Sequence, residues 1–318
     1  MYFIGVDLGG TAIKIGLIAE EGRIICKLER STPVSEGFEA VVGTINLMIS
    51  DIIEKTKIDR SDIKAIGAGV PGACSEDGLM YSAINLSWEN VEFAKRLKEL
   101  TNIDVYIEND ATVAALGEVE FGAAKGKRNV VMLTLGTGVG GGIVINNQIF
   151  SGSNGMGSEL GHMIIGENYY DCNCGNNGCL ETFASATAII KYTQKLLEED
   201  EKNSLIRDKV EGNYKKIDAK LVFECAKLGD ELALKSVKRF VKYLSIGIGN
   251  IFNIFDPDIV LLGGGVSKAV DYIMESLIKE TYMHITFDYD IRDRIAVAKL
   301  ENNAGILGSA MYARTRTV

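Results

Sequence analysis

Histidine, long apolar stretches and clustered positive charge are all scarce in this sequence. Nowhere in its 318 residues do the roughly 18 consecutive apolar residues of a membrane-spanning helix occur, and Met1 to Asp7 lacks the basic start of a secretory signal. A membrane protein and a secreted precursor are therefore not expected; a cytoplasmic protein without a membrane partner is. The net charge is -9 and no long run of lysine and arginine is present. This speaks against a general nucleic-acid binder, because neutralising phosphates takes a basic surface. The G-x-x-x-x-G-K-[ST] pattern is missing too, since Gly122 to Arg128 has neither its spacing nor its hydroxyl. A P-loop nucleotidase is excluded.

Of only two histidines, one lies ahead of the one close group of cysteines. His162 precedes Cys172, Cys174 and Cys179 by ten, twelve and seventeen positions, so four ligands of the kind Zn²⁺ prefers can meet in one tetrahedral shell. Gly175 and Gly178 suit the sharp turns this requires. Four protein ligands leave no position for a reactive water, which makes the expected metal structural. Glu159 and Glu181 flank the cluster and can accept hydrogen bonds from a polyhydroxylated ligand. The alternative is a disulfide with one cysteine left over. Cys26, Cys74 and Cys225 stand singly, as in a reduced cytosolic protein.

The length favours two domains, and the pattern along the chain is α/β. Tyr2–Leu8, Ile13–Ala19 and Arg23–Arg30 read as an antiparallel meander with a turn at Glu21-Gly22. A helix over Gly37–Lys57, a strand at Ile63–Gly69, a helix at Val91–Leu100 and a strand at Val105–Glu108 follow, and a further helix starts at Asp110. The segment from Ala123 to Asn129 reads as a hinge. Beyond it TLGTGVGGGIVI echoes DLGGTAIKIGLI, each being strand, Gly/Thr turn and strand, as a duplicated domain would give. Helices are expected at Thr182–Glu199, Asp218–Leu228 and Glu231–Phe255, then a strand at Ile259–Leu262. A last helix at Ala304–Arg314 is expected to pack back on the first domain. The domains expected are 1–122 with 303–318, and 123–302 with the metal loop.

Glycine beside threonine at a strand turn lets backbone N–H groups approach an anion. Gly9, Gly10 and Thr11 form one such turn, Gly136, Thr137 and Gly138 a second, and Asp7 is a hard oxygen ligand suited to Mg²⁺. Gly263, Gly264 and Gly265 form a third, entering a helix. Each turn alone can equally be structural. Gly136 to Gly141 matches G-x-G-x-x-G but leads into a strand, so the dinucleotide reading fails. Asp110 ends a strand and begins a helix, where α/β proteins bind ligands; it can be a plain N-cap, or a base that accepts a hydroxyl proton during attack on a γ-phosphoryl group. Asn109 beside it and Asn85, in a loop that is otherwise apolar, are further polar candidates, Asn85 with the alternative of a simple turn residue.

Taken in order, these motifs resemble the ROK family of sugar kinases, named for repressor, open reading frame and kinase. DLGGTAIKIGL is similar to its first phosphate motif, GVPG at Gly69 to Gly72 to the loop near the sugar, and ENDATVAALGE to its catalytic segment. LGTGVGGGIV resembles the second phosphate motif, GSELGH with CNCGNNGCLET the zinc and sugar signature, and LLGGGVS the adenosine loop. One departure is that Ala12 follows Thr11 where many members carry lysine; here Lys14 comes two positions later. The resemblance implies an actin-like (ribonuclease H-like) ATPase fold of two α/β domains around a central cleft, commonly a homodimer. It implies ATP, Mg²⁺ and structural Zn²⁺ as cofactors and transfer to the 6-hydroxyl of a hexose, glucose first. N-acetylmannosamine, N-acetylglucosamine, fructose and mannose are the alternative acceptors, and a silent sugar sensor is the alternative function. Asp110 would be the base. Asn85, Asn109, Glu159, His162 and Glu181 would contact sugar, with His162, Cys172, Cys174 and Cys179 on zinc. Family repressors carry a winged helix ahead of the first phosphate motif, which here begins at once, so a DNA-binding role is not expected.

Overall fold

The structure, a computed structural model, describes residues 1–317; Val318, the end of the expected 303–318 segment, lies outside them. Strands β1 (Tyr2–Leu8), β2 (Ala12–Ala19) and β3 (Ile24–Ser31) form the antiparallel meander, with Asp7 opposite Lys14 across the first hairpin. Helix α1 (Phe38–Thr56) buries Val41, Val42, Ile45, Met48, Ile49 and Ile52, the spacing of one helical face. It ends at Lys57, which turns into the left-handed region at φ 56°. The helix carries the chain across to β4 (Ile63–Val70), which pairs parallel with β1. Three short strands follow, β5 (Ala73–Cys74), β6 (Met80–Ala83) and β7 (Trp88–Val91), then α2 (Phe93–Thr101), β8 (Val105–Asn109) and α3 (Asp110–Phe121). The first sheet has the order β3-β2-β1-β4-β8.

The remaining elements are β9 (Val130–Leu135), β10 (Val139–Ile145), β11 (Gln148–Ile149), α4 (Glu181–Ala184), α5 (Ala186–Glu199), α6 (Leu205–Val210), α7 (Ala219–Lys227) and α8 (Glu231–Phe255). After them come β12 (Ile259–Gly263), α9 (Val270–Tyr282), β13 (Ile295–Val297) and α10 (Ala304–Arg316). The second sheet, β11-β10-β9-β12-β13, repeats the first position by position. Its outer pairs repeat the direction too: β10 and β11 are antiparallel, β12 and β13 parallel, as are β2 with β3 and β4 with β8. The echo between DLGGTAIKIGLI and TLGTGVGGGIVI thus falls on equivalent hairpins.

The chain divides into two compact units. One comprises Met1–Val130, Gly142–Ser158 and the segment from Lys299; the other comprises Val131–Gly141 and Glu159–Ala298. In the first unit α10 lies against β1, β4 and α3 at backbone distance, and glycine makes that approach feasible. A Cβ on Gly5 would stand 1.8 Å from the Ile306 carbonyl, and one on Gly67 1.8 Å from that of Ser309. Among the described residues no helix is long and apolar enough to cross a membrane.

Three features differ from the sequence reading. The segment 73–91, to which the sequence reading gives no strand, holds a three-stranded sheet packed by Phe38, Trp88 and Phe93, with ring centroids 5.0 and 6.0 Å from that of Trp88. The helix expected over Thr182–Glu199 breaks at Ser185, whose hydroxyl caps α5 by accepting the Ala188 N–H, an alternative partner that serine offers the backbone. The glycine turn after β12 enters a 3₁₀ segment, Gly265–Ala269, before α9 begins.

Candidate active site

In the first unit, Asp7 is the last residue but one of β1 and lies beneath the start of α10: a Cβ on Gly305 would lie 2.7 Å from its carboxyl carbon. Lys14 approaches it to 3.5 Å. Burial nevertheless raises the Asp7 carboxyl above its ordinary range, and Lys14 offsets only part of that. The Gly9-Gly10-Thr11 turn is closed by the Gly9 N–H on the Ala12 carbonyl at 3.0 Å and by the Thr32 hydroxyl on the Gly9 carbonyl at 2.6 Å. Gly10 packs on the backbone of Asn85, which stands exposed in the 3₁₀ turn Ile84–Leu86. First phosphate turn and Asn85 are thereby brought together.

At the carboxyl end of β8 the structure assigns the capping role differently from the sequence reading. Asn109 is the N-cap of α3, extended at φ -57° and ψ 140°, and its Oδ1 accepts the N–H groups of Ala111 and Thr112 at 3.0 and 3.1 Å. Its Nδ2 donates to the Gly72 carbonyl at 3.4 Å, tying the GVPG loop to the strand end. Asp110 is the first helical residue rather than the cap. One of its oxygens accepts the Ala111 N–H at 2.8 Å, in the field of the helix N-terminus.

In the second unit the Gly136-Thr137-Gly138 turn and the Gly263-Gly264-Gly265 turn sit at the ends of neighbouring strands, β9 and β12. Gly264, at φ 83°, lies so close that a Cβ would meet the Leu135 carbonyl at 2.5 Å. Glu181 rests on the first of these turns. A Cβ on Gly138 would come within 2.5 Å of its Oε2, which also accepts the Val139 N–H at 3.4 Å. Glu181 Oε1 lies 2.9 Å from Cys172 Sγ, so this carboxylate joins the turn to the cysteine cluster.

His162, Cys172, Cys174 and Cys179 converge, with all ligand atoms within 4.8 Å of one another. His162 Nδ1 is 3.6 Å from Cys172 Sγ, and Cys174 Sγ is 3.6 Å from Cys179 Sγ. Zn–S bonds of about 2.3 Å place the sulfurs of a tetrahedron roughly 3.8 Å apart, so the donor set fits zinc. The cysteines are free thiols, and the disulfide alternative is not what the fold holds. The other histidine nitrogen, Nε2, faces Glu159 at 3.8 Å.

The ROK family model matches residues 3–316. The chain belongs to the ROK family. The glucokinase of Thermotoga maritima is 38% identical over 315 residues, covering 98% of this chain and 97% of that protein. A putative xylose repressor from Caldicellulosiruptor is 33% identical over 96% of this chain, which spans 76% of that protein. Among solved structures, a ROK family glucokinase from Streptomyces griseus in complex with glucose and AMPPNP matches with a TM-score of 0.81 and 30% identity, covering 99% of this chain and 100% of that one. The actin-like ATPase fold that the family resemblance implies is borne out.

Two pairings in this ROK protein escaped sequence reasoning. Lys14 is the partner of Asp7, a relation that the hairpin register Asp7 to Lys14 contains once the turn is placed. Glu108 is bonded to Ser151, 43 positions away, and no local pattern announces it.

Proposed function

We propose that this ROK protein is an ATP-dependent glucose 6-kinase. The observation that supports this most is the division of labour at the end of β8: Asn109 caps α3, so Asp110 is held on the first helical turn without being needed as the cap. In this reading the Asp110 carboxylate accepts the proton of the sugar's 6-hydroxyl while that oxygen bonds to the γ-phosphorus and the bond from phosphorus to the departing ADP oxygen breaks. Asn85, Asn109, Glu159, His162 and Glu181 hold the other hydroxyls, and Gly263 to Gly265 receive the adenosine. The N–H groups of Gly9 to Thr11 and Gly136 to Gly138 take the phosphates, where Mg²⁺ held by Asp7 would offset the charge. His162, Cys172, Cys174 and Cys179 would hold a structural Zn²⁺, which would brace the segment between Glu159 and Glu181. A cytoplasmic homodimer is the form proposed from the family resemblance.

A panel of hexoses and hexosamines with ATP and Mg²⁺, run beside Asp110→Asn, tests this. Glucose is expected to dominate, and the variant to lose at least about a hundredfold in kcat while still binding glucose. Another dominant sugar would reassign the acceptor. Glucose binding without turnover by the wild type would favour a sensor.

A further inference from the structure

Directly before Asn109 stands a buried carboxylate with no part in the roles assigned so far. Glu108 is only 7% exposed, and its two oxygens have separate partners. Oε1 accepts the backbone N–H of Asn109 at 2.8 Å; Oε2 accepts the hydroxyl of Ser151 at 2.6 Å. Ser151 opens a segment that is closed on itself. The Gly157 N–H donates to the Ser151 carbonyl and the Ser158 hydroxyl to the Phe150 carbonyl, both at 2.8 Å, and the chain then runs into Glu159. Gly155 lies against the Cys74 carbonyl, where a Cβ would stand at 1.9 Å. Glu108 is therefore a bond between the strand that ends in Asn109 and the loop that leads to Glu159.

That bond is made at an electrostatic cost. The charged and titratable groups around Glu108 are Cys74 on β5, Tyr312 and Arg316 on α10, and Glu76, which holds the Arg316 guanidinium at 2.7 Å. Among the described residues Glu108 forms no salt bridge; burial outweighs its two hydrogen bonds and the Arg316 charge, and the carboxyl is raised above its ordinary range. An apolar side chain of similar volume would avoid the cost, so a carboxylate here needs a reason other than stability.

We infer that Glu108 is a positioning residue for the sugar, one carboxylate that fixes Asn109 against the 151–158 segment. The inference rests on the proposed assignment of Asn109 and Glu159 to sugar hydroxyls. Beside Glu108 opens a cavity of 540 Å³ with Gln148, Ser151, Asn154, Tyr312 and Arg316 in its walls. It is roomy and polar enough for water, so an Asn109 N–H deprived of Glu108 finds a partner there. Truncation should loosen the position of Asn109 rather than unfold the unit. Glutamine can keep both bonds, accepting from Asn109 through its oxygen and donating to Ser151 through its amide.

The test compares Glu108→Ala, Glu108→Gln, Ser151→Ala and the double variant Glu108→Ala/Ser151→Ala in the full-length protein. Glucose affinity is read by titration calorimetry, kcat and both KM values by steady-state kinetics, and amide exchange of the 151–158 segment by mass spectrometry. Glu108→Ala is expected to weaken glucose binding and raise its KM about tenfold, with the KM for ATP within about twofold, because only the sugar side loses its positioning. Glu108→Gln should recover glucose affinity to within about threefold, and Ser151→Ala should add little in the Glu108→Ala background, as two ends of one bond do. Exchange in 151–158 should accelerate in Glu108→Ala and stay slow in Glu108→Gln. Unchanged exchange, additive effects, or KM values for glucose and ATP that rise together would overturn the inference. Should Glu108→Ala fail to fold, Ser151→Ala carries the same readouts. Exchange reports on the bond whether or not any sugar is turned over, so failure of the kinase reading stays distinguishable from failure of this one.

Discussion

Asn109 accepts two helix N–H groups with one side-chain oxygen, and Asp110 shares only the Ala111 N–H with it, through an oxygen that asparagine would retain. The Asp110→Asn variant should therefore lose turnover and keep its thermal stability. Glu108 is the opposite case, a residue whose charge opposes the fold. Its carboxyl titrates in the folded state above the 4.5 of an unperturbed glutamate. The protonated form is thus favoured by folding; that contribution is complete below 4.5 and disappears as pH rises through the folded value. Glutamine has no charge to bury, so Glu108→Gln should match the wild type in thermal melts near pH 4 and exceed it near pH 7.5. An equal difference at both pH values would show that the charge is not what burial penalises. At this scale the motif residues were legible because their chemistry is local: glycine where backbone approaches closely, carboxylate where a strand ends. Glu108 and Ser151 were not, because a hydrogen bond between residues 43 apart exists only once β8 and the loop after β11 are folded side by side.

The metal loop shows how an element with almost no regular structure is held. Two isolated bridges, Ile164 with Cys179 and Asp171 with Asn177, are its only ladder pairs among the described residues. Tyr170 and Asn168 both donate to the Thr182 carbonyl at 2.8 Å. Arg239, on α8, donates to Asn168 and lies over Phe183 and Tyr192 at 4.7 and 4.5 Å, a cation against two rings. The cluster of His162 and three cysteines could be read from spacing, whereas the Arg239 anchor, 71 positions from Asn168, could not. Short strands such as β5 escaped for a related reason: two residues carry no period. Because Glu159 and Glu181 are adjacent to the ligand set, metal removal should disturb sugar before nucleotide. Purified protein is expected to carry about one zinc per chain, and chelation to lower the melting temperature and raise the KM for glucose more than that for ATP. Less than about half a zinc per chain, with melting unchanged on chelation, would show that the loop stands without metal.

Across the whole molecule the two sheets share one order, yet the first unit depends on the end of the chain for its completion. Leu307, Ala310, Met311, Tyr312 and Ala313 on α10 join Phe3, Ile18, Ala65, Val113 and Leu116 in one core cluster. The contact is so close that glycine is required on both sides of it. Gly117 meets the Ala304 carbonyl and Gly308 meets that of Val113, where a Cβ would stand at 2.7 and 1.7 Å. A flexible side chain could yield to such an intrusion, but these obstacles are helix backbone. Gly308→Ala must push α10 away from α3, and because α10 also lies on β1 and β4, the loss spreads through the sheet that carries Asp7 and Asn109. Gly43 in α1 provides the contrast, since nothing lies within 4 Å of the Cβ it lacks. There alanine only restrains the unfolded chain and should stabilise by about 0.5–1 kcal/mol. In urea unfolding, Gly308→Ala is expected to cost about 4 kcal/mol or more, or to prevent folding, as backbone overlap in a core does. If the two substitutions proved equally mild, α10 would be a loosely docked helix rather than the element that closes the first unit.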